Sequence, residues 1–300
     1  MIRISEILDF LQEMNISFSF TGNTEAETEG FSSLAHYKLG SFTWIKTQKN
    51  IPADFDLSQT SLVFVSEEVD AGTAPNVIRT KESKRAFFFA IEHFYGQEDE
   101  PSGVGQFTYI SPKVKLGKNI RIGHNCTLDG DITIGDGTII WNNVVIVNQV
   151  SIGKYCEIQS GTVIGHDGYA YTEDITHQKT MVKHFGGVVI GDYVHLGVNN
   201  AIARGVIDDT VIGDGTKMAD LCHIGHNNQV GPSVSFISGC IINGSCTIGE
   251  NAYISTSVLR NQSMIGEDSM VGMGAVVVKD VVSGQTVVGN PARPFIKKKE

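Results

Sequence analysis

Basic residues are in short supply: 23 Lys and Arg against 33 Asp and Glu leave a net charge of −10. A chain without a basic footprint is a poor match for nucleic acid, and none is expected as a partner. Long apolar runs are missing as well, so no segment is expected to insert in a membrane. The opening stretch Met1 to Phe10 has no apolar leader core, which points to the cytoplasm. Proline is rare, 7 residues against 33 glycines, a balance that implies many turns. There are only five cysteines, Cys126, Cys156, Cys222, Cys240 and Cys246. Each stands four residues after an apolar residue (Ile122, Ile152, Met218, Phe236 and Ile242). That regular place reads as an interior slot filled by a compact apolar thiol, in preference to a disulfide or a metal cluster.

The rule behind that spacing is a hexad. Leu116, Ile122, Leu128, Ile134, Ile140, Ile146, Ile152, Ile158 and Ile164 recur every sixth position, often followed by glycine. A period of six fits neither a helix nor a simple hairpin. It fits a solenoid whose short strands each contribute one inward aliphatic before a corner. The hexads start at Ile110 and break after Ile164. They resume at Ile190, Leu196 and Ile202, slip by four at Asp208-Asp209, and run from Ile212 to Val277 with one deletion near Arg260. Three hexads per coil give about eight coils over residues 110–282. Residues 166–187 are too long for a corner and are expected as a loop leaving the solenoid; loops of that length are commonly functional.

Residues 1–97 lack the hexad and read as a small α/β domain. Ile4, Ile7, Leu8, Leu11 and Met14 have helical spacing, and a second helix is expected over 83–95 with Phe87, Phe88 and Ile91 inward. Strands are expected around Phe18–Phe20, Phe42–Ile45, Ser61–Val65 and Asn76–Ile78. Residues 98–109 then read as a linker and 283–300 as a C-terminal tail.

These hexads resemble the left-handed parallel β-helix of hexapeptide acyltransferases. Gly165-His166-Asp167-Gly168-Tyr169, Gly186 to Asp192, Arg204-Gly205 with Asp208-Asp209-Thr210, and Cys222-His223-Ile224-Gly225-His226-Asn227 are similar to the UDP-3-O-acylglucosamine N-acyltransferases of lipid A synthesis. Phe31 to Ala35, the stretch around Trp44 to Lys49, and Arg85-Ala86-Phe87 resemble their uridine-binding domain. The resemblance implies a mainly β fold, a homotrimer, His226 as catalytic base, and a nucleotide-linked aminosugar as acceptor. Trp44, His166, Asp167, Tyr169 and Asn227 are the expected substrate contacts. Two departures stand out. Thr47 and Asn50 occupy family Asn and Tyr positions, and Asn261-Gln262-Ser263 lies where the family has a second functional His. The ending Gly289-Asn290-Pro291-Ala292-Arg293-Pro294 resembles acetyl-CoA-dependent sugar acetyltransferases instead of a helical extension that engages acyl carrier protein.

Acyl transfer to an amine needs a group near neutral pKa to take a proton, and a donor facing the tetrahedral oxyanion. His226, two residues past the inward Ile224, stands at a corner and suits the first role; Gly239 or Gly244 offers a backbone N–H for the second. His124, in Ile122-Gly123-His124-Asn125, repeats the motif without the flanking match. The ending suggests acetyl-CoA or a short acyl-CoA as donor, held by Gly274, Ala275, Lys279 and Arg293, with an acyl carrier protein donor as the alternative. No metal is expected. A zinc site of the carbonic anhydrase kind would need His spacing that His223 and His226 do not have.

Overall fold

A computed structural model describes residues 1–96 and 102–295, which form two compact units divided at residue 100. Residues 98–101 of the expected linker and 296–300 of the expected tail lie outside the described residues.

In the first unit, strands Ser19–Thr21, Val77–Arg79, Leu62–Val65 and Phe42–Ile45 lie in that order, the last three parallel. Side chains alternate across the sheet, as the two-residue period of a strand requires. Phe42, Leu62, Phe64 and Ile78 pack on one face against helix α1 (Ile4–Glu13) and helix α2 (Ser83–Tyr95). Ile45, Val63 and Val65 join Leu34, Leu57 and Val69 on the other. Helix α2 buries Ser83, Ala86, Phe87 and Ala90. Phe88, expected inward, is on the exposed side because it lies one residue round from that stripe.

The second unit is a left-handed parallel β-helix. On its longest face eleven strands join. The last of them, Arg293–Pro294, runs antiparallel to Thr286–Val288, which leaves ten parallel rungs. The expected eight coils are therefore too few. The first rung, Gly103–Val104, falls in the segment expected as linker, and Thr286–Val288 falls in the expected tail. Inward aliphatics from every face merge into one continuous core, which also takes in all five thiols as free buried cysteines. Burying an Ile side chain contributes roughly 1.5–3 kcal/mol. Because nearly every hexad adds one, stability is spread along the stack.

Corners require left-handed backbone, and Asn119, Asn125, Asn143, Asn199, Asn227 and Asn251 take it, with φ between 53° and 60°. Asn tolerates this region because its short amide can hydrogen-bond locally. Register places Ile164, Ile202, Ile224, Ile242, Leu259 and Val277 on one face in successive rungs. The corners after these residues line a single edge, which carries, in order, His166, Arg204, His226, Gly244, Asn261 and Lys279. No helix among the described residues is long and apolar enough to cross a membrane.

Candidate active site

The long loop leaves this edge after Ile164. It forms a hairpin of Tyr171–Glu173 with Lys179–Met181 and returns beside residues 204–209. There Phe185 N–H donates to Val206 O at 2.8 Å and Gly187 N–H donates to Asp209 Oδ1 at 2.6 Å. The Asp208-Asp209 slip in the hexad is thus the seat of the returning loop. His226 lies beyond it on a cavity of about 520 Å³ whose lining includes Tyr169, Asn243, Gly244, Arg260 and Gln262.

Asn227 orients the imidazole. Its Oδ1 accepts from Val206 N–H at 3.0 Å and its Nδ2 donates to Asp208 O at 2.9 Å, so the amide can face only one way. Oδ1 also lies 3.0 Å from His226 Nδ1. With an acceptor on that side, Nδ1 carries the proton and Nε2 keeps its lone pair. One rung above, Gly244 leaves room for the ring: a Cβ there would sit 2.7 Å from Cε1 and 2.8 Å from Nε2. Gly168 also lies against the ring, though less tightly, a Cβ at that residue lying 3.1 Å from His226 Cδ2. The imidazole occupies a slot between two glycines.

The two expected oxyanion donors separate here. Gly239 N–H is already bound to Asp220 O at 3.0 Å, and that glycine lies on another edge. Gly244 N–H makes no hydrogen bond to the described residues, and Gly244 lines the cavity.

Of the other expected contacts, Tyr169 is exposed and lines the cavity. His166 stands two rungs below His226 on the same edge, with Nδ1 buried and unpartnered. Burial pushes its pKa below the ordinary 6.5. The nearby His223 and His184 push the same way, and Asp167 opposes them. His223 is also lowered, by burial first and then by His226. Asp167 is held by Arg204, whose Nε donates to Oδ1 at 2.6 Å, an ion pair that pins the start of the loop. The amide of Asn227 is spent within the protein, so in place of the expected substrate contact it orients the His226 ring. Of the three residues at the missing helper His, Asn261 and Gln262 line the cavity; Ser263 is buried, its hydroxyl donating to Arg260 O at 2.7 Å.

The expected acyl-CoA residues do not come together. Ala275 is buried in the core, its N–H bound to Gly272 O, and Gly274 N–H is bound to Thr256 O. Both lie on a different edge from His226, whereas Lys279 is on the His226 edge three rungs up. Arg293 belongs to the antiparallel strand that closes the end of the prism. The ending that suggested a coenzyme site is a cap.

In the first unit, Trp44 borders a groove of about 630 Å³ shared with Lys46, Lys81, Lys84, Arg85 and Phe88. Its indole N–H donates to Ser83 Oγ at 3.2 Å, and its ring lies nearly parallel to Phe87. Thr47 and Asn50 bond to each other in a capping box and do not line this groove. Among the described residues no group of three or more His, Cys, Asp or Glu is placed to hold a metal ion.

Sequence reasoning left four of these residues without a role: Gly168, Arg204, Arg260 and His184. His184 lay within the loop, and the loop's length was the signal that could have singled it out.

A prism of hexad coils with an oriented imidazole in an edge slot is the architecture of hexapeptide-repeat acyltransferases, and the family model for the bacterial transferase hexapeptide (six repeats) matches residues 131–166. The chain is 34% identical over 243 residues to a UDP-3-O-acylglucosamine N-acyltransferase of Coxiella burnetii, covering 75% of this chain and 70% of that protein. A protein of the same name from Pseudomonas syringae is 35% identical over 145 residues, a match that spans 48% of this chain and only 41% of the relative. The chain belongs to the UDP-3-O-acylglucosamine N-acyltransferase family. Among solved structures, UDP-N-acetylglucosamine O-acyltransferase from Moraxella catarrhalis aligns with a TM-score of 0.58 at 24% identity, over 63% of this chain and 72% of that one. At that identity the likeness concerns the fold.

Proposed function

We propose that the chain transfers a 3-hydroxyacyl group from acyl carrier protein to the free amine of a UDP-linked, 3-O-acylated glucosamine. The observation that carries this reading is the oriented His226: Nδ1–H on Asn227 Oδ1 leaves Nε2 as a base facing a cavity next to an uncommitted N–H at Gly244. The substrate amine attacks the thioester carbonyl carbon, and a C–N bond forms as the carbonyl oxygen becomes an oxyanion. Gly244 N–H stabilises that charge, and His226 Nε2 takes the proton from the attacking nitrogen. The C–S bond then breaks, and the imidazolium returns the proton to the departing thiolate.

Trp44 is the proposed stacking surface for the uracil ring, with Lys46, Lys81, Lys84 and Arg85 as cations for the diphosphate. A homotrimer is proposed on the face that carries His223. Val145, Val163 and Ala201 below His223, and Ile241, Val258 and Val276 above it, hold the equivalent position in successive rungs, an apolar strip suited to covering by another copy. The carrier-protein donor replaces the acetyl-CoA reading because the residues behind that reading are scattered (Ala275 in the core, Gly274 on another edge, Arg293 in the closing strand, Lys279 three rungs from His226) and because the relatives are N-acyltransferases of acylated UDP-glucosamine.

Purified protein offered UDP-3-O-acylglucosamine with either 3-hydroxyacyl carrier protein or acetyl-CoA tests both points. Turnover with the carrier protein alone is expected. Turnover with acetyl-CoA alone would overturn the donor, and full activity of His226→Ala would overturn the base.

A further inference from the structure

His184 is 2% exposed, yet both ring nitrogens are bonded. Nε2 accepts from Gly168 N–H at 3.1 Å, which leaves the proton on Nδ1, 3.0 Å from its acceptor Val182 O. The ring therefore ties the outgoing limb of the loop, at Gly168, to the returning limb, at Val182. It also stands edge-on to His226, with ring centroids 5.8 Å apart and planes at 84°. Gly168, the residue it holds, lies beside His226, where a Cβ would come within 3.1 Å of Cδ2 and 3.3 Å of the His226 Cβ.

We propose that His184 is a positioning residue for His226: by fixing Gly168 and presenting its own ring edge, it closes two sides of the slot and holds the imidazole in line with the cavity. This rests on His226 as the base. Arg204 with Asp167 anchors the loop where it leaves the coil, and Asp209 with Gly187 where it returns. Among the bonds of the described residues, the His184 bond alone reaches Gly168 N–H from a side chain.

The two amide isosteres separate the bonds. His184→Gln places an oxygen where Nε2 was and can still accept from Gly168. His184→Asn reaches only the Nδ1 position and can keep only the Val182 bond. The expected result is that His184→Asn loses about 10- to 100-fold in kcat with little change in KM, a loss in line with a displacement of about 1 Å at a reacting group. His184→Gln is expected to recover most of that loss. A readout that needs no substrate accompanies it: acylation of His226 by diethyl pyrocarbonate, followed by peptide mapping, should be faster in His184→Asn than in the native chain or His184→Gln. Equal kcat and equal labelling in the Asn variant and the native chain would overturn the proposal, as would a folded Gln variant as impaired as Asn. If His226→Ala keeps full activity while the labelling rates still differ, the base assignment fails and the slot geometry stands.

Discussion

Gly244→Ala tests the slot with a single methyl group. Gly244 does not adopt a positive φ, so alanine meets no backbone penalty there. Replacing glycine at a compatible position even stabilises a chain by roughly 0.4–1 kcal/mol through the unfolded state. The cost falls on His226, because the new Cβ would lie 2.7 Å from Cε1, 2.8 Å from Nε2 and 3.1 Å from Nδ1. Ordinary contact begins near 3.4 Å, so the ring must retreat by about 0.7 Å. Gly168 lies beside Cδ2 and the His226 Cβ, and a retreat by rotation away from Asn227 stretches the 3.0 Å Nδ1–Oδ1 bond. An off-rotamer side chain costs about 0.5–1.5 kcal/mol, close to what the glycine replacement returns. The melting temperature should therefore move by only a few degrees. A misplacement of this order at a catalytic group is expected to lower kcat by about 100-fold. Since the Gly244 N–H survives the substitution, the loss reports on the imidazole and not on the oxyanion donor. Steady-state kinetics with a thermal melt read both quantities, and the His226→Ala/Gly244→Ala double variant should be little worse than His226→Ala alone. Native kcat in folded Gly244→Ala, or full additivity in the double variant, would refute the slot.

Asn227→Ala removes the tether of His226 and a left-handed residue together; kcat should fall by at least tenfold and stability by about 2–4 kcal/mol, measured by urea unfolding. Trp44→Ala should raise the Kd for UDP by about tenfold or more, read by calorimetry, with kcat nearly constant, as loss of a stacking surface predicts. His166 and His223 have folded-state pKa values below 6.5, so the unfolded chain binds more protons between the two values. Stability should then be full above about pH 6.5 and decline as pH falls into the folded range, and a His166→Gln/His223→Gln variant should show a flatter melting-temperature profile. His124→Ala should leave kcat at the native level in the same assay that shows His226→Ala to be inactive, because His124 Nδ1 is used to accept from Gln106 N–H at 2.8 Å.

The prism was readable because its cause is local and repeated. One inward aliphatic per hexad, a small residue or thiol four places on, and Asn or Gly at the corner are each dictated by the cross-section of a single coil. What the repeat could not supply was its own ends. Gly103–Val104 has no inward neighbour in the preceding coil to complete the pattern, and Thr286–Val288 is followed by a strand that reverses. At both ends of the stack a rung has a parallel neighbour on one side only, and the Pro/Gly-rich composition there reads as linker or tail. Gly274 and Ala275 look like one ligand turn in the sequence, but the fold makes them a corner and a core residue.

The site was half legible, and the identical tetrapeptides at 122–125 and 224–227 show why. A hexad fixes that a residue points inward or sits past a corner; it is silent about which of three edges that corner belongs to, since edges repeat only every third hexad. Ile122 stacks under Ile140 and Ile158 on the face that leads to Val271, whereas Ile224 stacks over Ile202 and Ile164 on another. The loop and the Asp208-Asp209 slip, both on the Ile164 edge, are the two largest of the three breaks in the count, the third being the single deletion near Arg260. Those breaks bring Gly168 and His184 against His226, and Asp208 and Val206 against Asn227. His124 has no such surroundings: its backbone N–H is bound by Asn142 Oδ1 and its ring by Gln106, as at an ordinary corner. What separates His226 from His124 is therefore the interruption of the repeat beneath it, a feature that a periodic reading treats as an error in the period.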